Sequence, residues 1–304
     1  MGSCSTCVIF TVWQNAADSY ATTVTEAIAP YSMTFLGAVL GLYWTIKIGG
    51  YMAGKDFKIE DLAKEVLLTV VASTFLTFPS LWMDFVQHTL NFGVSLAQFM
   101  VDPNGGSVDT TQTGIAGLIA AVGGPLQTIT NGVLAIMSGT DWTEIGLVIG
   151  AALLWFLFAG LWLLIVWDAT WFYSKFILIQ VLGPIILVAL AVPFTRGLAS
   201  QAWKILLTGV IEFMTLGVIV GLANHLLKVA FDHMPIDASG KVTSAASAFL
   251  FGEDYLTAMI CGALLIFLRD GFKHLAAQLA DSVADKVGAG PLSYMPQARL
   301  AGGK

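Results

Sequence analysis

Between Lys64 and Lys175 the chain runs 110 residues without a Lys or Arg, and apolar runs long enough to cross a bilayer lie on both sides. Cytoplasmic loops of membrane proteins collect Lys and Arg, whereas exported loops lack them. The gap therefore predicts a large exported segment in the middle of a multi-spanning chain. The rest of the composition agrees. At 304 residues, 57% hydrophobic and 11% charged, with mean hydropathy +0.79, the chain is far more apolar than an average globular domain. Its apolar residues stand in blocks of about 20, as bilayer-spanning helices require. The expected fold class is all-α, a polytopic helical integral membrane protein. A net charge of −6 argues against nucleic-acid binding driven by phosphate neutralisation.

The pattern divides the chain into five parts. Residues 1–30 carry no Lys or Arg and form an exported N-terminal segment. Residues 31–86 form a two-span hairpin around the basic loop that holds Lys55, Lys58 and Lys64. Residues 87–143 are the central exported region, with a weak or re-entrant apolar stretch at 114–137 broken by Gly123, Gly124 and Pro125. A membrane bundle follows at 144–268, with spans at 145–167, 172–194, 204–227 and 254–268 and a tight interfacial turn at Trp167–Trp171. Residues 269–304 form a cytoplasmic tail. Charge sets the count of spans, six to seven. If 114–137 crosses, Lys55, Lys58, Lys64, Arg196, Lys204 and the tail all fall inside, and only Lys175, Lys228 and Lys241 face out. That arrangement has seven crossings, N-terminus out and C-terminus in, and obeys the positive-inside rule.

No enzymatic constellation is present. Gly49 to Asp56 nearly spells a phosphate-binding loop, but it follows an apolar helix and ends in Asp where magnesium needs Ser or Thr. The four His residues show no paired spacing, Cys4 and Cys7 have no second ligand pair, and no cofactor is implied. The polar signals lie inside spans instead. Thr69, Ser73, Thr77, Ser80, Asp84 and His88 follow steps of 4, 4, 3, 4 and 4, which places them on one face of a single helix. Such a face serves either close helix–helix contact, or the wall of a wet path or an oligomer seam. Lys204, Thr208 and Glu212 follow i, i+4, i+8 spacing, and Glu212 lies about 12 Å along the helix from Lys204. An acid at that depth has to face protein or water, which makes Glu212 the first site candidate, with Lys204 or Gln180 as its expected partner. GxxxG pairs at Gly37/Gly41, Gly146/Gly150 and Gly217/Gly221 permit close helix packing or self-assembly. Trp155 and Trp162, seven residues apart, share a helix face.

One stretch carries a family resemblance. Leu182-Gly183-Pro184-Ile185-Ile186, then Ala191-Val192-Pro193-Phe194-Thr195-Arg196, then Trp203-Lys204, resembles the core of the VirB6/TrbL family. There a span with a Gly-Pro centre ends at a small turn, and a Trp opens the next span. Pro184, Thr195, Arg196 and Trp203 match that motif as turn residues. The resemblance implies an inner-membrane subunit of a bacterial type IV secretion or conjugation machine. Such subunits form a homo-oligomeric ring, a pentamer, beneath the periplasmic stalk. The partners implied are the minor pilin of the stalk, the major pilin, other inner-membrane secretion subunits and, transiently, the DNA or protein substrate. Family descriptions give five spans where the charge count here predicts seven. The competing expectation is a small-solute or proton-coupled carrier. Absence of paired intramembrane charges and of repeat symmetry counts against it.

Overall fold

The computed structural model describes residues 5–54, 59–101, 115–120, 145–231 and 253–288. All regular structure among the described residues is helical. In chain order it comprises α1 (Ser5–Met52), α2 (Ile59–Thr77), α3 (Pro79–Val101) and α4 (Ile145–Ala191). A 3-10 turn (Pro193–Thr195), α5 (Arg196–Phe231) and α6 (Glu253–Gly288) follow. Residues 115–120 are also helical. Most of the expected weak segment 114–137 lies outside the described residues, as do Cys4 and the tail beyond Gly288.

Among the described residues four helices are long and apolar enough to cross a membrane: Phe10–Met52, Val148–Ala191, Pro193–Ala223 and Tyr255–Leu279. A bent pair, Leu62–Thr77 with Pro79–Val101, makes up to five. In a bilayer only a closed hydrogen-bond pattern avoids stranded backbone groups, and long helices supply it. The protein is therefore helical and membrane-embedded, with fewer crossings among its described residues than the charge count predicts.

Two differences account for the lower number. The expected turn at Trp167–Trp171 does not form, and 145–191 is one helix of 47 residues. At 1.5 Å per residue it is about 70 Å long, more than twice the hydrocarbon thickness of about 30 Å. Residues 167–171 contain neither Gly nor Pro to stop a helix. Asp168, expected in that interfacial turn, is 1% exposed and paired inside the protein. The second difference is at Pro79, where the axis turns by 97° between α2 and α3. Proline lacks an N–H, and its ring clashes with the carbonyl four residues back, so the helix breaks there. Phe78 N still donates to Thr74 O at 3.0 Å, and Leu81 N to Phe78 O at 3.0 Å, which tightens the corner. The hydroxyl ladder is thereby cut in two. Thr69, Ser73 and Thr77 stay on α2, while Ser80, Asp84 and His88 stand on α3.

The described helices form two compact units. The first joins Met1–Val12, Asn91–Phe172 and Ile211–Ala277. Its core includes Leu154, Phe158, Leu161 and Ile165 of α4 with Phe213, Leu216 and Val220 of α5. Phe172 and Phe213 meet edge to face, with ring centroids 5.8 Å apart. On α5, Gly217 and Gly221 lie directly on the α3 backbone. A Cβ at Gly217 would stand 2.4 Å from the Ala97 carbonyl oxygen, and one at Gly221 would stand 2.7 Å from that of Met100. Only glycine permits that approach.

The second unit joins Trp13–Leu90, Tyr173–Val210 and Gln278–Lys304. Here α1 buries Ala21, Thr25, Ala29, Ser32 and Leu36, one face at helical spacing. That face runs parallel to α4. Tyr173 donates its hydroxyl to Asp18 at 2.5 Å, and seven residues further along both helices Thr25 donates to the Gln180 carbonyl at 3.0 Å. A repeat of seven on both partners keeps two helices in register along a seam. The segments expected as an exported arm and a first span are thus one helix, about 72 Å long at 1.5 Å per residue.

Candidate functional site

The motif residues all belong to the second unit. Pro184 has no N–H, so the Gln180 carbonyl four residues back lacks its helical donor. Thr25 of α1 fills that vacancy with its hydroxyl. The Gln180 side-chain amide donates to Gln87 at 3.4 Å rather than serving as a partner for Glu212. Gly183 leaves room for an indole: a Cβ there would stand 1.9 Å from Trp82 Nε1. Trp82 begins a row of rings that continues through Phe85 at 5.9 Å to Trp203, which stacks on Phe85 at 6.1 Å with a 17° tilt.

At the end of α4, Thr195 donates to Val192 O at 3.1 Å and also lies 3.2 Å from Ala189 O. Arg196 Nε donates to Leu190 O at 3.2 Å. A helix end leaves carbonyls without donors, and these two side chains supply them. In the same unit Glu65 accepts from Lys47 and, at 2.9 Å, from the Tyr43 hydroxyl. The Lys47 ammonium also sits over the rings of Tyr43, Trp44 and Tyr51.

The first unit holds a charge cluster between two helices long and apolar enough to cross a membrane. Arg269 of α6 donates to both oxygens of Asp168 on α4, Nε to Oδ2 at 2.7 Å and Nη2 to Oδ1 at 2.7 Å. Lys273, one turn further, donates to Oδ1 at 2.5 Å. Asp270 takes the remaining guanidinium edge at 2.9 Å. Asp168 and Arg269 are buried, whereas Lys273 is partly exposed. Two-point Arg–carboxylate pairing is the strong form of this bond, because the planar fork matches the carboxylate. The sequence reading had no paired intramembrane charges, and the structure corrects it. It also corrects the seven-crossing layout, which put residue 168 at one membrane face and 269 at the other. A contact of 2.7 Å cannot bridge about 30 Å of hydrocarbon.

Beside the cluster opens a cavity of about 210 Å³. Each of three helices gives it one face at helical spacing. From α4 come Asp168, Trp171 and Phe172. From α5 come Glu212, Thr215, Leu216 and Ile219, and from α6 Lys273 and Ala276. Glu212, the first sequence candidate, thus lines a cavity of mixed polar and apolar wall together with Lys273 and Asp168. Lys204 and Thr208 do not line it and belong to the other unit.

The remaining candidates lie elsewhere. Thr69 donates its hydroxyl to its own helix at Glu65 O, Ser73 to Val70 O and Thr77 to Ser73 O. Asp84 is exposed. Gly37 and Gly41 face open space, Gly146 is exposed, and the Gly150 carbonyl accepts from the Tyr255 hydroxyl at 3.0 Å.

Sequence reasoning missed Asp168, Arg269 and Lys273, having assigned the first to a turn and the others to a tail. The signal was there for the basic pair. Apolar residues continue at helical spacing through Phe272, Leu275, Ala276 and Leu279, well past residue 268. Among the described residues no group of His, Cys, Asp and Glu is placed to hold a metal ion. No protein-family model and no curated protein matches this chain.

Proposed function

We propose that this chain is a non-enzymatic inner-membrane subunit of a bacterial type IV secretion or conjugation machine. In this reading it forms an oligomeric platform for pilus and stalk assembly and contributes to translocation of DNA or protein. The observation that carries the reading is the organisation of the second unit. Gly183, Pro184 and Trp203 of the family-like motif pack against α1 and α3 there, and Thr195 and Arg196 cap the end of α4.

The helices also favour a simpler topology with the same orientation. With 145–191 as one crossing, the bent pair as another and 114–137 not crossing, five crossings run from N-terminus out to C-terminus in. Lys47, Lys55, Lys58, Lys64, Arg196 and the C-terminal Lys286, Arg299 and Lys304 then fall on the cytoplasmic side. Only Lys228 and Lys241 remain outside, which satisfies the positive-inside rule as well as seven crossings do. The segment 102–144 is exported, where it meets the stalk. Native mass spectrometry of protein extracted in a mild detergent tests the platform, and a closed ring of about five copies is the expected result. A monomer or dimer refutes it.

The buried cluster favours one second reading. A buried charge pair beside a cavity that holds a carboxylate, between helices apolar enough to cross a membrane, is a feature of ion-coupled carriers. A small-solute or proton-coupled transporter is therefore retained, and it predicts the monomer or dimer.

A further inference from the structure

We propose that the outward face of α3 in the second unit, formed by Ser80, Asp84 and His88, is the wall of an aqueous path that admits small hydrophilic solutes beside the apolar belt of α4. The exposure pattern along α3 points that way. Over residues 79–90, Trp82, Val86 and Leu90 are buried at steps of four, whereas Ser80, Leu81, Asp84 and His88 are exposed. Apolar inward and mostly polar outward is the arrangement of a helix that faces water. A helix that faces lipid turns apolar side chains outward, and α4 does so: over residues 173–191 its exposed side chains are Leu178, Leu182 and Ile185.

The two helices show these unlike faces at one level. Trp82 of α3 lies against Gly183 of α4, and five residues further along α3, Gln87 accepts from Gln180. The helices therefore run side by side in opposite directions, and Asp84 stands level with residues 180–183. Leu178 and Ile185 bracket that level, so it falls inside the apolar belt. α1 adds Glu26, exposed beside the Thr25 that meets the Gln180 carbonyl. Carboxylates at membrane depth face water or protein rather than lipid. His88 spends Nδ1 on its own helix, 2.7 Å from Asp84 O, and among the described residues neither the Asp84 carboxylate nor the Ser80 hydroxyl has a protein partner. Exposed groups in that state are satisfied by water. The inference does not rest on the secretion reading: a ring can keep this face dry, and a wet face needs no ring.

The test uses the full chain in lipid nanodiscs, with Cys4, Cys7 and Cys261 replaced by Ser. Single reporters are Ser80→Cys, Asp84→Cys and His88→Cys on α3, against Leu178→Cys, Leu182→Cys and Ile185→Cys on α4. Modification is timed with anionic 2-sulfonatoethyl and cationic 2-trimethylammonioethyl methanethiosulfonate, which attack the thiolate and stay out of hydrocarbon. Thiolate falls about tenfold for each unit by which apolar surroundings raise a thiol, so α3 positions should react with both reagents at least about tenfold faster than α4 positions. An α3 set no faster than the α4 set overturns the proposal, because the whole level is then wet or dry alike. So do α3 thiols that react only after unfolding in sodium dodecyl sulfate, since protein or lipid then covers the face. Hydroxyl-radical footprinting of the unsubstituted protein in the same discs reads the face with no reporter. His88 should be oxidised while Leu182 and Ile185 are protected, and a protected His88 overturns the proposal.

Discussion

Replacing Arg269 by Met should destabilise the protein far more than replacing Lys273 by Met, although both side chains bond the same carboxylate. Arg269 holds Asp168 at both oxygens, and the two are 8% and 1% exposed. Removing it leaves a buried carboxylate with one ammonium on one oxygen. Breaking a buried pair from one side costs about 3–5 kcal/mol, because the remaining charge stays desolvated. Lys273 is 35% exposed, and its loss leaves the Arg269 fork intact. Solvent screening reduces its share to about 0–1 kcal/mol. The difference of about 3 kcal/mol corresponds to more than a hundredfold in the unfolding equilibrium.

Equilibrium unfolding of the detergent-solubilised protein, followed by tryptophan fluorescence, measures it. Asp168→Leu combined with Arg269→Met should recover part of the loss seen in either single variant, since the two buried charges go together and the charge left without its partner is that of the partly exposed Lys273. Arg269→Lys should behave more like Arg269→Met than like wild type, because an ammonium cannot span both oxygens. Equal losses for Arg269→Met and Lys273→Met would refute the assignment of the fork as the structural pair and of Lys273 as the adjustable one.

The remaining expectations concern packing. Gly217→Ala places a methyl against the Ala97 carbonyl and should cost about 1–3 kcal/mol, while Gly37→Ala meets nothing within 4 Å and should be neutral or slightly stabilising in the monomer; thermal unfolding of the two variants separates them. Thr25→Val strands the Gln180 carbonyl and should cost about 1–3 kcal/mol, and Pro184→Ala, which restores a helical N–H to that carbonyl, should make Thr25→Val nearly silent in a double-mutant cycle. Pro79→Ala should relax the 97° corner, so spin labels at Val66 on α2 and Phe92 on α3 should move apart in a pulsed electron resonance measurement; an unchanged distance shows that packing, not proline, holds the bend.

Much of the site was legible in its parts and illegible as a whole. Glu212 stood out because a lone acid inside an apolar run needs a polar surrounding, and it does line the cavity. Its neighbours across the cavity did not stand out. Asp168 lies between Trp167 and Trp171, a pattern that reads equally well as an interfacial turn. Its pairing with Arg269 joins residues 101 positions apart, and no local periodicity encodes such a contact. The hydroxyl ladder erred in the opposite direction. Its spacing was regular, but Pro79 sits within it, and a missing N–H outweighs a regular period.

What the sequence determines alone is the class of structure and its chemistry of last resort. Apolar blocks of this length can satisfy their backbones in lipid only as helices. Which blocks join and which break was decided by tertiary contact. Asp168 can stay inside a continuous α4 because α6 brings it an arginine and a lysine, and Pro184 can stay inside the same helix because Thr25 arrives from α1 to meet the carbonyl it leaves free. Buried polar groups require partners, and partners distant in sequence are found only when the chain has folded.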